Sequence, residues 1–311
     1  MGEKTVNTAT LAMDACLVAE RSGFVWYHVE DVRGPALDEL ATRFGLHELA
    51  IEDCRNLRQR AKVEEFDRHL FVIANNVHFE PEKEECFFGE ITFFVGKDFF
   101  LSVHDGPSKS YRAVRPKFDK DPKMAHSGRL LEAFLDWLVD QYLPVLDSIE
   151  ERIEAIEERV VGQPSPKVLS EIFTLRRALI NFRRVATSMR EVLHLLLSRP
   201  DPWFKSRHAY FRNIYDHVIR ALDFVETYRD ILNGVLDVHL TATAKRTNEI
   251  MRVLTVFATL ATPFLMITGF FGMNFERLPW LHEPFGAGWA TLAMLGMSGT
   301  MLWYFFRKGW L

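Results

Sequence analysis

Cysteine is scarce: Cys16, Cys54 and Cys86 are too few and too scattered for a disulfide framework or a CxxC metal site. They read as incidental thiols of a reducing compartment. Also missing are a glycine-rich phosphate loop, a nucleophile motif and any zinc-ligand spacing among histidines such as His69, His78, His104 and His126. Hydrolytic and redox chemistry thus have no visible machinery, no resident cofactor is implied, and the chain does not read as an enzyme. A net charge of -4 without a basic patch argues against a nucleic-acid partner. The polar, uneven N-terminus is not the basic lead into an apolar core that marks a signal or transit peptide.

Another absence is confined to the C-terminal end. Residues 251–271 carry Arg252 as their single charge, and residues 286–306 carry none. Each run matches the roughly 20 residues that cross a hydrocarbon core of about 30 Å. Lys245, Arg246 and Arg252 stand at the start of the first run, and Trp303, Tyr304, Arg307, Lys308 and Trp310 crowd the end of the second. By the positive-inside rule both flanks face the cytoplasm. The pattern predicts a hairpin of two transmembrane segments in a cytoplasmic membrane, 251–271 and 286–306, with both termini inside. Residues 272–285 form the outer loop and 307–311 a basic tail. Two buried helices of a soluble domain would fit the apolarity but not the flanks. The spans hold no Asp or Glu for a proton relay, which lowers the case for proton coupling.

The remainder is of another kind. Residues 1–122 read as a cytoplasmic α/β domain, with strand patterns at Phe24–Val29, 62–67, 70–74, 86–94 and Phe99–Val103 and a helix at Pro35–Phe44. The polar Gly96, Lys97 and Asp98 make the last two strands the clearest hairpin. A mixed sheet follows, with its strand order left open. Residues 123–200 turn helical and read as an antiparallel pair. The first helix, 125–161, is open to a kink at Pro144 and carries Ile149, Ile153 and Ile156 through an acidic stretch. The second bears Arg176, Arg177, Arg183 and Arg184 and runs to Ser198. The acidic residues fit a solvated face better than a device for concentrating cations.

From 201 to 250 a stalk helix is expected. Phe211, Tyr215, Val218, Leu222 and Val225 recur at intervals of 4, 3, 4 and 3, and no proline intervenes before Pro263. If this helix continues into the first span, about 60 residues at 1.5 Å rise give roughly 90 Å. A third of that crosses the membrane, and a narrow stalk of the remaining length calls for oligomeric packing.

One face of the first span can hold Asn248, Met251, Thr255, Thr262, Leu265 or Met266, and Gly269. Met251 and its neighbour Leu254 would form an apolar inner constriction able to close by dewetting, with uncharged threonines above it. The same stripe could mediate ordinary helix packing. Beyond it come Gly272, Met273 and Asn274. A ring of Asn274 amide oxygens would accept hydrogen bonds from the water shell of a cation without binding it too tightly. That suits Mg2+, which dehydrates reluctantly. Such a ring needs several copies, so a homo-oligomer is implied.

These segments resemble the CorA family of divalent cation (magnesium/cobalt) transport proteins. Phe271, Gly272, Met273, Asn274 and Phe275 keep the family's Gly-Met-Asn motif with Phe in place of its leading Tyr. Residues 247–255 resemble its pore-entrance segment, 211–217 its stalk signature, and 307–311 its basic tail. The resemblance implies a funnel-shaped homopentamer with an N-terminal α/β domain, a long stalk helix lining the pore and a second span outside the first. It implies Gly272, Met273 and Asn274 at an ion-selecting mouth, Asn248, Met251 and Leu254 at the inner constriction, and Mg2+ with Co2+ or Ni2+ as cargo. A related branch carries Zn2+.

Two departures bear on regulation. Some relatives place an interfacial Asp where this chain has Asn213 and pair it with an acid that aligns with Glu80; Asn213 removes that formal charge, and Asp216 nearby reads either as a compensating ligand of a regulatory Mg2+ site or as an ordinary capping or surface carboxylate. The outer loop keeps only Glu276 and Glu283 to attract cations, with Arg277 opposing them. The alternatives are Zn2+ transport by the same fold, coupled to protons or not, and a non-conducting membrane-anchored scaffold.

Overall fold

The computed structural model describes residues 16–57, 59–80, 85–162, 165–200, 202–273 and 285–310. Two compact units divide between Leu236 and Asp237.

The first unit is built on a six-stranded mixed sheet of order β1-β2-β6-β5-β4-β3. Its strands are β1 (Leu17–Arg21), β2 (Phe24–Val29), β3 (Lys62–Glu65), β4 (His69–Glu80), β5 (Glu85–Gly96) and β6 (Phe99–Val103). Every neighbouring pair is antiparallel except β2 with β6, which the helix-containing stretch between them returns parallel. The hairpin of β5 and β6 turns where expected, and a Cβ on Gly96 would overlap the Phe99 ring at 2.1 Å.

Both faces of the sheet are covered, because its strands alternate between two apolar sets rather than between apolar and polar ones. Trp26, Val72, Phe93 and Phe100 point to one side, and Tyr27, Phe71, Phe94 and Leu101 to the other. Helices α1 (Pro35–Phe44) and α2 (Glu48–Arg55) cover the second side with Leu37, Leu40, Ala50 and Ile51. Pro35 opens α1 and Gly45, at φ 63°, closes it, so its limits agree with the sequence expectation.

On the first side pack α3 (Lys109–Lys120), α4 (Ser127–Asp140), α5 (Tyr142–Gly162), α6 (Pro166–Ser198) and the early part of α7 (His208–Phe271). Residues 125–161 are two helices and not one kinked helix: the chain breaks at Gln141, and Pro144 sits in the first turn of α5, where no helical N–H is lost. Ser165 caps α6 by accepting from the Val168 N–H at 3.5 Å. The stripe of Ile149, Ile153 and Ile156 meets Val168, Ile172 and Leu175 in one core, as the antiparallel pair requires. Arg159 binds the carboxylate of Glu171 across that pair.

The stalk stripe finds its partners inside its own chain. Phe211, Val218 and Val225 are buried, Tyr215 and Leu222 pack beside them, and Ile214, Ala221, Tyr228, Leu232 and Val235 extend the same core. The Tyr228 hydroxyl donates to Glu150 at 2.8 Å, and Arg183 pairs with Glu226 at 2.8 Å. The stripe is thus covered within the chain, while Phe224, Ile231, Val238 and Leu240 on the same helix stay exposed.

The second unit comprises the rest of α7 and α8 (Gly286–Arg307). Among the described residues, α7 is the one helix long and apolar enough to cross a membrane by length and composition. α8 falls short on that measure, since Gly288, Thr291, Gly296, Ser298, Gly299 and Thr300 dilute its apolar run. Two spans were expected, and one meets the measure.

Candidate functional site

Two faces of α7 separate in the second unit. Val256 and Pro263 are buried, and Thr259, Leu260, Ile267 and Phe271 are half-buried. Opposite them α8 half-buries Ala290, Met294, Ser298 and Met301 and buries Phe305. The spacing of 3 or 4 on each helix makes these the two sides of one seam. Ser298 Oγ crosses it to donate to the Leu260 carbonyl at 3.4 Å. At 3.6 residues per turn, the face of Asn248, Met251, Thr255, Thr262 and Gly269 lies roughly a third of a turn from this seam. The sequence-derived candidates Asn248, Met251, Leu254, Thr255, Thr262 and Gly269 are all exposed. Met251 is 55% exposed, Leu254 60%, Leu265 71% and Met266 68%, so among the described residues of one chain nothing covers their large apolar side chains.

The threonines are oriented. Thr255 donates its hydroxyl proton to the Met251 carbonyl at 2.7 Å, and Thr262 donates to Ala258 at 2.8 Å. Each proton is tied to the helix, so each oxygen presents lone pairs outward. The face thus offers uncharged hydrogen-bond acceptors and no fixed charge. Pro263 lacks the N–H that would bond the Thr259 carbonyl, yet α7 continues through it.

α7 ends where the motif begins. The Gly272 N–H donates to the Thr268 carbonyl at 2.9 Å, and a Cβ on Gly272 would stand 2.9 Å from that same oxygen. Glycine at 272 is thus demanded by close approach to the last turn. Thr268, whose carbonyl takes this bond, was not singled out from sequence; its signal is its place four residues before the glycine that stops the helix. Gly272 and Met273 are exposed. Asn274, Glu276 and Glu283 lie outside the described residues.

The regulatory candidates do not assemble within one chain. Asn213 and Asp216 are exposed near the start of α7, Glu80 ends β4 with its side chain outside the described set, and Asp216 has no ion pair among the described residues. No group of three or more His, Cys, Asp or Glu among the described residues is placed to hold a metal ion. Lys308 lies 5.6 Å from the Tyr304 ring centre and 5.3 Å from that of Trp310, and Arg307 lies 5.5 Å from that of Trp303. Such amphipathic pairs suit the boundary between apolar and aqueous surroundings.

The model of the family described as CorA-like Mg2+ transporter protein matches residues 21–308. The cobalt/magnesium transport protein CorA of Thermotoga maritima is 32% identical over 292 residues, covering 92% of this chain and 83% of that one. Its namesake from Methanocaldococcus jannaschii is 25% identical over 293 residues, covering 92% and 91%. The solved structure of the CorA magnesium transporter from that organism superimposes with a TM-score of 0.81 at 23% identity, covering 94% of this chain and 93% of that one.

Proposed function

The chain belongs to the CorA-like Mg2+ transporter family, and from that premise we propose that it is one subunit of a channel-like transporter. Partly hydrated divalent cations, Mg2+ foremost with Co2+ or Ni2+, pass across the cytoplasmic membrane down their electrochemical gradient. The observation that carries this reading is the bare face of α7 beside its seam with α8: large apolar side chains and outward-facing threonine oxygens share one helix with no cover among the described residues.

Several copies, five in a funnel, would bring those faces together around one lumen. Residues 251–271 and 286–306 are then the two spans, 272–285 the outer loop, and both termini with the body 1–122, the helical pair 123–200, the stalk 201–250 and the tail 307–311 lie in the cytoplasm. Met251 and Leu254 close the inner end, since a narrow apolar ring excludes water and with it any hydrated ion. Thr255 and Thr262 accept hydrogen bonds from the ion's water shell, and Gly269 leaves width near the mouth. Gly272, Met273 and Asn274 form that mouth, where amide oxygens select an ion that keeps its waters. Glu276 and Glu283 raise the cation concentration outside it. Asp216 of one copy near Glu80 of another would supply a weaker Mg2+-sensing contact than an Asp at 213 would. Inhibition by internal Mg2+ is accordingly expected to be weak.

Proteoliposome uptake tests the reading. Mg2+ influx that Co2+ competes away is the expected result. Uptake of Zn2+ with negligible Mg2+ would overturn the cargo, and no flux of any divalent cation at high or low internal Mg2+ would favour a scaffold.

A further inference from the structure

A cleft lies in the first unit, where the lead into β3 faces α6 and α7. It consists of two adjoining cavities of about 600 and 620 Å3 that share Arg60, Arg184 and Ser188. Either is of a size that holds a small organic ligand.

The lobes differ in chemistry. One is lined by five arginines, Arg60, Arg183, Arg184, Arg190 and Arg229, against three carboxylates, Glu191, Asp223 and Glu226. Glu226 is already taken by Arg183 at 2.8 Å and by Arg229 at 2.6 Å. No carboxylate among the described residues pairs with Arg60, Arg184 or Arg190, and Arg184 reaches only the Asn181 amide oxygen at 3.5 Å. Successive turns of α6 carry Arg184, Thr187 and Arg190 along this wall. Guanidinium groups gathered in a concavity repel one another unless an anion enters, and their planar forks match phosphate oxygens. The other lobe is walled by Leu57, Phe88 and Val185 and carries Gln59, Glu90, His104 and Asp105. It offers an aromatic face for a planar ring, with acceptors for ring N–H groups, and its two carboxylates, Glu90 and Asp105, turn a phosphate toward the arginines.

We propose that this cleft binds a nucleotide, with its phosphates on Arg60, Arg184 and Arg190 and its base in the lobe of Phe88 and Val185. Ligand binding here would be read without flux.

Calorimetric titration of ATP into the purified full chain, in buffer free of divalent metal, tests it. Saturable binding is expected, weakened about tenfold or more in Arg60→Gln with Arg184→Gln. Both arginines are exposed, so the thermal melt of the double variant should match wild type. Tripolyphosphate should bind more weakly than ATP, and Phe88→Ala should weaken ATP alone. Absence of saturable ATP binding, or equal affinity in the double variant, would overturn the site; tripolyphosphate binding as tightly as ATP would overturn the base lobe.

Discussion

Between Phe211 and Val235, helix α7 buries a continuous apolar stripe against its own chain, whereas from Asn248 to Gly269 the same helix leaves Met251, Leu254, Leu265 and Met266 bare. The first stretch is largely covered within one subunit, with Phe224 and Ile231 left exposed, and the second has only its seam with α8. Apolar side chains 55 to 71% exposed are not stable facing water, so their cover must come from lipid or from further copies. What divides the two stretches is thus not hydrophobicity but where the burial is supplied: in one by α4 to α6, in the other by the surroundings.

The contrast can be broken most sharply at Phe211. Its side chain is 1% exposed, so Phe211→Ala should cost about 3–5 kcal/mol in chemical unfolding of the body. Met251→Ala should leave that transition unmoved, and an equal loss there would erase the distinction. On the bare face, Thr255→Val removes an outward oxygen and leaves the volume nearly unchanged. Flux should fall about two- to tenfold with no change in melting, the loss of one uncharged hydrogen bond being worth about 0.5–1.5 kcal/mol.

A smaller effect belongs to the body alone. Burial lowers the pKa of His69 to about 4, and both its ring nitrogens lack a hydrogen-bond partner among the described residues. A histidine held neutral by folding contributes its full stability above its unfolded pKa of about 6.5. That contribution is lost as pH falls from there toward 4. His69→Phe should therefore flatten the decline in melting temperature across this window, and an unchanged slope would assign the acid sensitivity elsewhere, His28 with its pKa also near 4 being next.

The parts legible in the sequence were those whose boundaries carry their own chemistry. Pro35 and Gly45 delimit α1, and Gly96 turns β5 into β6. β4 ran on past residue 74 because Asn75, polar within a strand, is satisfied there: its side chain accepts from the Ala61 N–H at 2.9 Å and donates to the Gln59 carbonyl at 3.2 Å. No periodicity announces such a partner. β1 and α3 were missed for related reasons, since LVAER has little apolar alternation and Pro116 interrupts the pattern of α3. At the site, the face of α7 from Asn248 to Gly269 was visible from spacing, but its seam with α8 was not. Thr259, Leu260 and Ile267 are as apolar or as small as their exposed neighbours, and only the partner helix tells them apart.

Asn274→Ala tests the central claim most directly, in proteoliposomes with subunit assembly followed by light scattering. Assembly equal to wild type with Mg2+ influx reduced at least about tenfold is the predicted result. Wild-type influx through the assembled variant would contradict it and remove the mouth from the mechanism.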